Sequence, residues 1–256
     1  MKESLTKISV VSYLNSMPFV FGLQNHAVSN KIILTRDTPS ECARKLLSGE
    51  SHIGLVPVAM IPTLPFHRMV ANHCIAADGA VDSVLLLSEK PLNQISKIML
   101  DYQSMTSVRL VKILASEFWQ IEPEWIDASQ GFENEISGST AAVVIGDRAM
   151  KIQNSFRYKY DLSEAWKQLT GLPFVFACWV SNREISTELN SELEEAFEFG
   201  INSLDAVIQA YDQDGIDPDY ALKYLQEKII FRLDQNTKDG MDAFLSKLEK
   251  LPVSEK

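Results

Sequence analysis

Short apolar runs alternate with amphipathic stretches along this chain, and the alternation predicts interleaved strands and helices. Ile8–Ser12 reads as a first strand that ends in the turn Tyr13-Leu14-Asn15-Ser16-Met17-Pro18. Ile32–Thr35 reads as a second strand, followed by a helix from Pro39 to about Ser48. That helix has Thr38 at its N-cap, Pro39 at its first position, Glu41 three residues after the cap and Gly49 as its stop. Ile53–Val56, Cys74–Ala77 and Val84–Leu87 are further strands, Pro91 to Ser96 a connection, and Ile98–Leu100 the opening of a second unit. Asp101 to Thr106 reads as a loop. Ser107 to Trp119 has helical spacing, with Val108, Val111, Leu114, Ala115 and Phe118 on one face. Ala141–Ile145 is a buried strand ending in Gly146-Asp147, Leu162 to Leu169 a helix capped by Asp161, and Phe174–Val180 another apolar strand. On that strand Phe174, Phe176 and Trp179 read as core. The last third reads as helical: one long helix from Leu189 to about Tyr211, then Pro218–Lys228 and Thr237–Leu248. This order predicts α/β lobes with largely parallel sheets, 1–90 with 175–256 as one lobe and 91–174 as the other.

Composition narrows the class. Hydrophobic residues make up 46% and charged residues 23%, an ordinary globular balance, with order expected up to the last few residues, Pro252 to Lys256. The formal net charge of -10 disfavours nucleic acid and anionic lipid as partners. A cleft can still differ in sign from the surface, so a small anion is not excluded. Cys42, Cys74 and Cys178 lie far apart and read as reduced core thiols. Met1 to Lys7 is polar, no apolar signal core precedes the first strand, and no apolar run is long enough to span a bilayer. These features predict a cytoplasmic protein.

The chemistry starts from what is missing. There is no Gly-rich phosphate loop, no G-x-S-x-G elbow and no H-E-x-x-H. His26, His52, His67 and His73 show no metal-ligand spacing and read as surface or loop histidines, so no metal is expected. What is present is a set of polar residues at the ends of expected strands, the edge at which open α/β sheets bind ligands. Asn15, beside Tyr13, offers a donor and an acceptor, or forms a turn before Met17-Pro18. Ser83 follows the turn signal Asp78-Gly79 and either faces a ligand or starts a strand. Ser104, Thr106 and Ser107 precede a strong helix, where free N–H groups and hydroxyls hold an anion or simply cap the helix. Asp147, after Gly146, caps a short helix or serves as an acid or base.

Eight stretches in order carry a resemblance: Y-L-N-S-M-P at 13–18, T-P-S-E-C-A at 38–43, G-L-V-P-V-A at 54–59, C-I-A-A-D-G at 74–79, S-V-L-L-L-S at 83–88, S-M-T-S-V at 104–108, V-I-G-D at 144–147 and L-T-G-L-P-F-V-F-A at 169–177. Together they resemble the chorismate dehydratase family of the futalosine route to menaquinone. The resemblance implies a two-lobed, type II periplasmic-binding-protein-like fold with a cleft between the lobes. It also implies loss of water from chorismate to give 3-[(1-carboxyvinyl)oxy]benzoate, with no organic cofactor and no metal. Asn15 and Ser83 match the family's cleft Asn and Ser, and Thr106 and Ser107 its carboxylate-binding helix start, while Tyr13, Ser104, Gly146 and Asp147 complete the expected substrate contacts. One position departs: the family usually has Arg where this chain has Met105. Asn15, Ser83, Thr106 and Ser107 do not titrate near neutrality, which favours the substrate's own enolpyruvyl carboxylate as the base over a protein group. Two rivals remain open. The related dihydroxynaphthoate synthase shares the fold and is expected to use a His base, absent from the matched turns. A binding or sensing module would hold the anion without converting it. The sequence sets no oligomeric state.

Overall fold

A computed structural model describes residues 5–211 and 215–252; residues 1–4 of the polar N-terminal stretch and 253–256 of the expected tail lie outside the described residues. In chain order the strands are β1 (Thr6–Val11), β2 (Ile32–Asp37), β3 (Ile53–Pro57), β4 (Arg68–Ala77), β5 (Val84–Ser88), β6 (Lys97–Leu100), β7 (Glu124–Asp127), β8 (Thr140–Ile145), β9 (Tyr158–Asp161), β10 (Phe174–Ser181) and β11 (Ile230–Arg232). The helices are α1 (Met17–Asn25), α2 (Pro39–Ser48), α3 (Thr106–Leu114), α4 (Asp147–Ile152), α5 (Leu162–Thr170), α6 (Thr187–Ile201), α7 (Leu204–Ala210), α8 (Pro218–Glu227) and α9 (Gln235–Lys250). Helix starts follow local chemistry. Thr38 accepts the Glu41 N–H at 3.4 Å, and Asp161 accepts those of Ser163 and Glu164 at 3.0 and 3.1 Å.

Two sheets form, ordered β11-β4-β10-β3-β1-β2 and β7-β6-β8-β5-β9. In the first, β1 runs parallel to β2 and β3, but β10 is antiparallel to β3. In the second, β6 runs parallel to β7 and β8, but β5 is antiparallel to β8 and β9. The expectation of largely parallel sheets is therefore corrected to mixed sheets. Continuous apolar runs such as Val84–Leu87, buried throughout, report burial on both faces and carry no information about strand direction.

The chain divides into two units, Met1–Ile75 with Phe176–Asp234 and Ala76–Val175 with Gln235–Lys256. The sequence expectation differs at both ends. Strand β5 hydrogen-bonds β8 and β9, so the first boundary falls before it and not near residue 90. Helix α9, expected with the first lobe, belongs to the second unit. Its Phe244 meets Phe174 and Trp166 edge-on, at 5.1 and 6.2 Å between ring centroids. Gly240 lets the helix backbone touch Pro173, where a Cβ would lie 2.1 Å from the carbonyl oxygen.

The core of the first unit is aromatic. Phe19 on α1 meets Trp179, Phe197 and Phe231 edge-on at 5.0–5.6 Å, and Trp179 stacks on Phe197 at 4.5 Å. Each such pair adds about 0.5–1.5 kcal/mol beyond its area burial. Phe174 and Trp179 are fully buried as expected, while Phe176 is half-buried. The three cysteines are free and buried, and burial pushes the Cys42 thiol up to about 12. The expected long helix from Leu189 to Tyr211 is two helices, interrupted at Asn202–Ser203, where the Ser203 hydroxyl bonds back to the Phe199 carbonyl at 2.7 Å.

His73 corrects the reading of the histidines as surface or loop residues: it is fully buried on β4. Three successive residues there are held by one stripe of α6. The Ala71 N–H bonds Asn190, the Asn72 N–H bonds Glu194, and His73 Nε2 bonds Glu198, each at 2.9 Å. Burial holds the His73 imidazole below its ordinary value, partly opposed by Glu194 and Glu198. Among the described residues, His73, Glu194 and Glu198 form a group whose spacing could admit a metal ion. Glu198, however, already serves both His73 and Arg232, the latter at 2.6 Å, so the group has a sufficient role as a stitch between strand and helix. No helix among the described residues is long and apolar enough to cross a membrane.

Candidate functional site

In the first unit, β1 runs out into Tyr13, whose extended backbone starts a single 3-10 turn over Leu14–Ser16. That turn feeds directly into α1, so Met17-Pro18, expected in a turn, are the first residues of a helix; proline is suited to that place because the first helical N–H groups have no partner to lose. Asn15 is half-buried. Its Nδ2 donates to the Tyr224 hydroxyl on α8 at 3.4 Å, and its Oδ1 accepts from the Ser16 hydroxyl at 3.2 Å. The side chain is thereby fixed between a helix and its own turn.

In the second unit, the remaining expected residues collect at one sheet edge, formed by the ends of β6, β7 and β8 and the start of β5. Ser83 is fully buried, and its carbonyl accepts the Gly146 N–H at 2.8 Å. Gly146 has φ 66° and ψ -151°, a conformation essentially closed to residues with a Cβ. It turns the chain so that Asp147 opens α4. The cap expected of Asp147 falls instead to Gly146, and Asp147 sits in the first helical turn.

Thr106 and Ser107, both buried, begin α3. The Ser104 hydroxyl accepts the Ser107 N–H at 3.0 Å, so one of the three hydroxyl residues performs the capping. The Ser104 N–H is in turn held by the Asp101 carbonyl at 3.0 Å. The structure thus brings Ser83, Ser104, Thr106, Ser107, Gly146 and Asp147 to one edge of the second sheet, with Tyr13 and Asn15 in the first unit.

The Asp101–Arg148 pair beside this edge was not legible in the sequence. Asp101, fully buried, accepts the Gln103 N–H at 3.0 Å, the Ile145 N–H at 3.1 Å and Arg148 Nη2 at 2.6 Å. Burial raises its carboxyl, and Arg148 opposes the rise. Arg148 also bonds Glu133 and lies over the rings of Tyr102 and Phe132 at 5.6 and 5.7 Å. Asp101 thereby locks the end of β6 to the end of β8. The only local signal is a charged residue just after an apolar strand.

Beside this clasp lies a cavity of about 390 Å³, lined among others by Asp101, Tyr102, Ser104, Arg109, Lys112 and Asp127. Arg109 is half-buried and stands one turn after Met105, and its Nη1 donates back to the Met105 carbonyl at 2.8 Å.

The class follows from fold comparison. The chain has the two-lobed periplasmic-binding-protein-like fold. A Candida albicans protein described as exhibiting the generic form of that fold superposes with a TM-score of 0.69 at 11% identity, over 97% of this chain and 91% of that one. The alkanesulfonate-binding protein of Xanthomonas axonopodis pv. citri superposes at 0.64 and 11%, over 98% and 96%. An Archaeoglobus fulgidus protein reaches 0.76 at 12%, over 98% of each chain. Within that class the chain belongs to the menaquinone biosynthesis family, whose model matches residues 6–250. It is 30% identical over 233 residues to the chorismate dehydratase of Thermus thermophilus, covering 82% of this chain and 84% of the relative.

Proposed function

We propose that this chain is a cytoplasmic hydro-lyase that converts chorismate to 3-[(1-carboxyvinyl)oxy]benzoate in menaquinone biosynthesis, without metal or organic cofactor. The observation that carries the reading is the kinship with the Thermus chorismate dehydratase over most of both chains. The edge that gathers Ser83, Gly146 and the start of α3 is consistent with it.

Chorismate carries two carboxylates. In this reading the start of α3, with Thr106, Ser107 and Ser104, holds one, because N–H groups and hydroxyls there favour an anion. Asn15, with Tyr13, holds the other carboxylate or the leaving hydroxyl, and Ser83 positions the remaining group. The C3–H bond breaks, its electron pair forms the C3–C4 double bond, and the C4 hydroxyl leaves as water with that proton. The ring becomes aromatic, so the protein mainly orients the substrate and stabilises developing charge. The enolpyruvyl carboxylate takes the C3 proton, since Asn15, Ser83, Thr106 and Ser107 offer no base.

The test is incubation of the purified protein with chorismate while following the diene absorbance, with the product identified by mass. Loss of the diene and a product lighter by one water is expected. Binding without conversion would make the chain a sensor.

A further inference from the structure

The residues assigned above to the substrate are neutral apart from Asp147, yet the substrate is doubly negative. Moving a carboxylate out of water without an opposing charge is costly, and the chain as a whole carries a net charge of -10. A cation beside the α3 start that the protein leaves without a carboxylate partner would offset part of that cost.

The second unit offers Arg109. It lies on α3 three residues after Thr106, a spacing that makes the two neighbours on the helix surface. It lines the same cavity as Ser104. A guanidinium has five N–H donors. The bond to the Met105 carbonyl uses one, and among the described residues Arg109 meets no carboxylate at ion-pair distance. The other charged groups lining the cavity are differently placed. Asp101 is occupied by Arg148 and two backbone N–H groups, Lys112 stands 5.7 Å from the centre of the Trp125 ring, and Asp127 is exposed. Burial draws Arg109 below the ordinary guanidinium value, the direction expected of a desolvated cation without an anion beside it.

We infer that Arg109 is the cation that grips a substrate carboxylate at the start of α3, and that it makes the site selective for anionic ring compounds. This rests on the reading of the chain as a chorismate dehydratase. A guanidinium binds a carboxylate through two parallel N–H bonds, which fixes the plane of the bound group as well as its charge.

The experiment is titration calorimetry of the intact protein with 3-hydroxybenzoate and with its neutral amide, 3-hydroxybenzamide, on wild type, Arg109→Gln and Arg109→Lys. Wild type should bind the carboxylate about 10- to 100-fold more tightly than the amide, the range of a charge-assisted pair. Arg109→Gln should lose that preference while keeping the wild-type unfolding midpoint within a few degrees, and Arg109→Lys should keep part of it. No preference in wild type, or the same preference in Arg109→Gln, overturns the inference. Chorismate turnover by wild type is read separately. Its absence sinks the dehydratase reading, whereas turnover with an unaltered preference in Arg109→Gln sinks the role of Arg109 alone.

Discussion

The carboxylate of Asp161 accepts the backbone N–H of Asp82 at 2.7 Å, and Asp82 holds a left-handed backbone with φ 62°. The same oxygen takes the Val81 N–H at 2.8 Å, while the other caps α5. One side chain therefore starts a helix and fixes the loop that delivers Ser83. Burial raises this carboxyl, to about 6, against its four N–H donors.

Replacing Asp161 with Ala removes the cap and leaves the loop N–H groups without their acceptor. A loss of roughly 2–4 kcal/mol is expected in urea unfolding. Chorismate turnover should fall as well, because Ser83 is no longer held. A variant with the wild-type urea midpoint and rate would show that the clasp does neither.

Asp101 and Arg148 form an ion pair in which the Asp101 side chain has no solvent exposure and Arg148 is half-buried. Asp101→Asn should cost roughly 1–3 kcal/mol, since it removes the carboxylate that accepts from Arg148 while Glu133 still faces the half-buried guanidinium. Adding Arg148→Met should recover part of the loss. If the double variant is as unstable as the sum of the two single ones, the residues are not coupled.

His73 sets a pH dependence. Its folded-state value lies below the ordinary 6.5, because burial disfavours the charged ring. The unfolded chain therefore binds a proton that the folded chain does not, and stability falls as pH drops below 6.5, by at most about 1.4 kcal/mol per pH unit. Urea unfolding at pH 7.5, 6.5 and 5.5 should show a steeper loss in wild type than in His73→Gln. Equal slopes would assign the acid sensitivity to other groups.

Gly146→Ala tests the turn between Ser83 and Asp147. Its backbone lies where a Cβ is strained, so a cost of roughly 1–3 kcal/mol is expected. Turnover should fall too, because α4 and Asp147 must shift. Unchanged thermal stability would mean that the turn adapts freely.

Local chemistry was readable from the sequence and long-range pairing was not. Thr38 and Asp161 were legible as caps because a cap and the N–H groups it serves lie within three residues. The strand-end positions of Asn15, Ser83 and Gly146 were legible from apolar runs stopping at polar turns. Helix α1 was missed because Pro18 reads equally as a turn residue and as a helix start. Strands β7 and β9 were missed because Glu124–Asp127 and Tyr158–Asp161 are only partly buried and carry polar residues that blur the period of two. The second role of Asp161 joins residues 79 apart, the Asp101–Arg148 pair 47 apart and the Asn15–Tyr224 contact 209 apart. Each depends on the sheets having assembled first. The placement of α9 likewise rests on Gly240 and Phe244 meeting Pro173 and Phe174, a match with no local signature.

The central claim is that neutral amide and hydroxyl groups, and not a protein base, carry the dehydration. The direct measurement is chorismate turnover by Asn15→Ala, Ser83→Ala and Asp147→Asn at equal folded concentration. Losses of about 100-fold or more for Asn15→Ala and Ser83→Ala, with Asp147→Asn within about tenfold of wild type, are expected for groups that orient substrate and stabilise charge. Abolition of turnover by Asp147→Asn alone, with the other two variants active, would contradict the account and place the base on the protein.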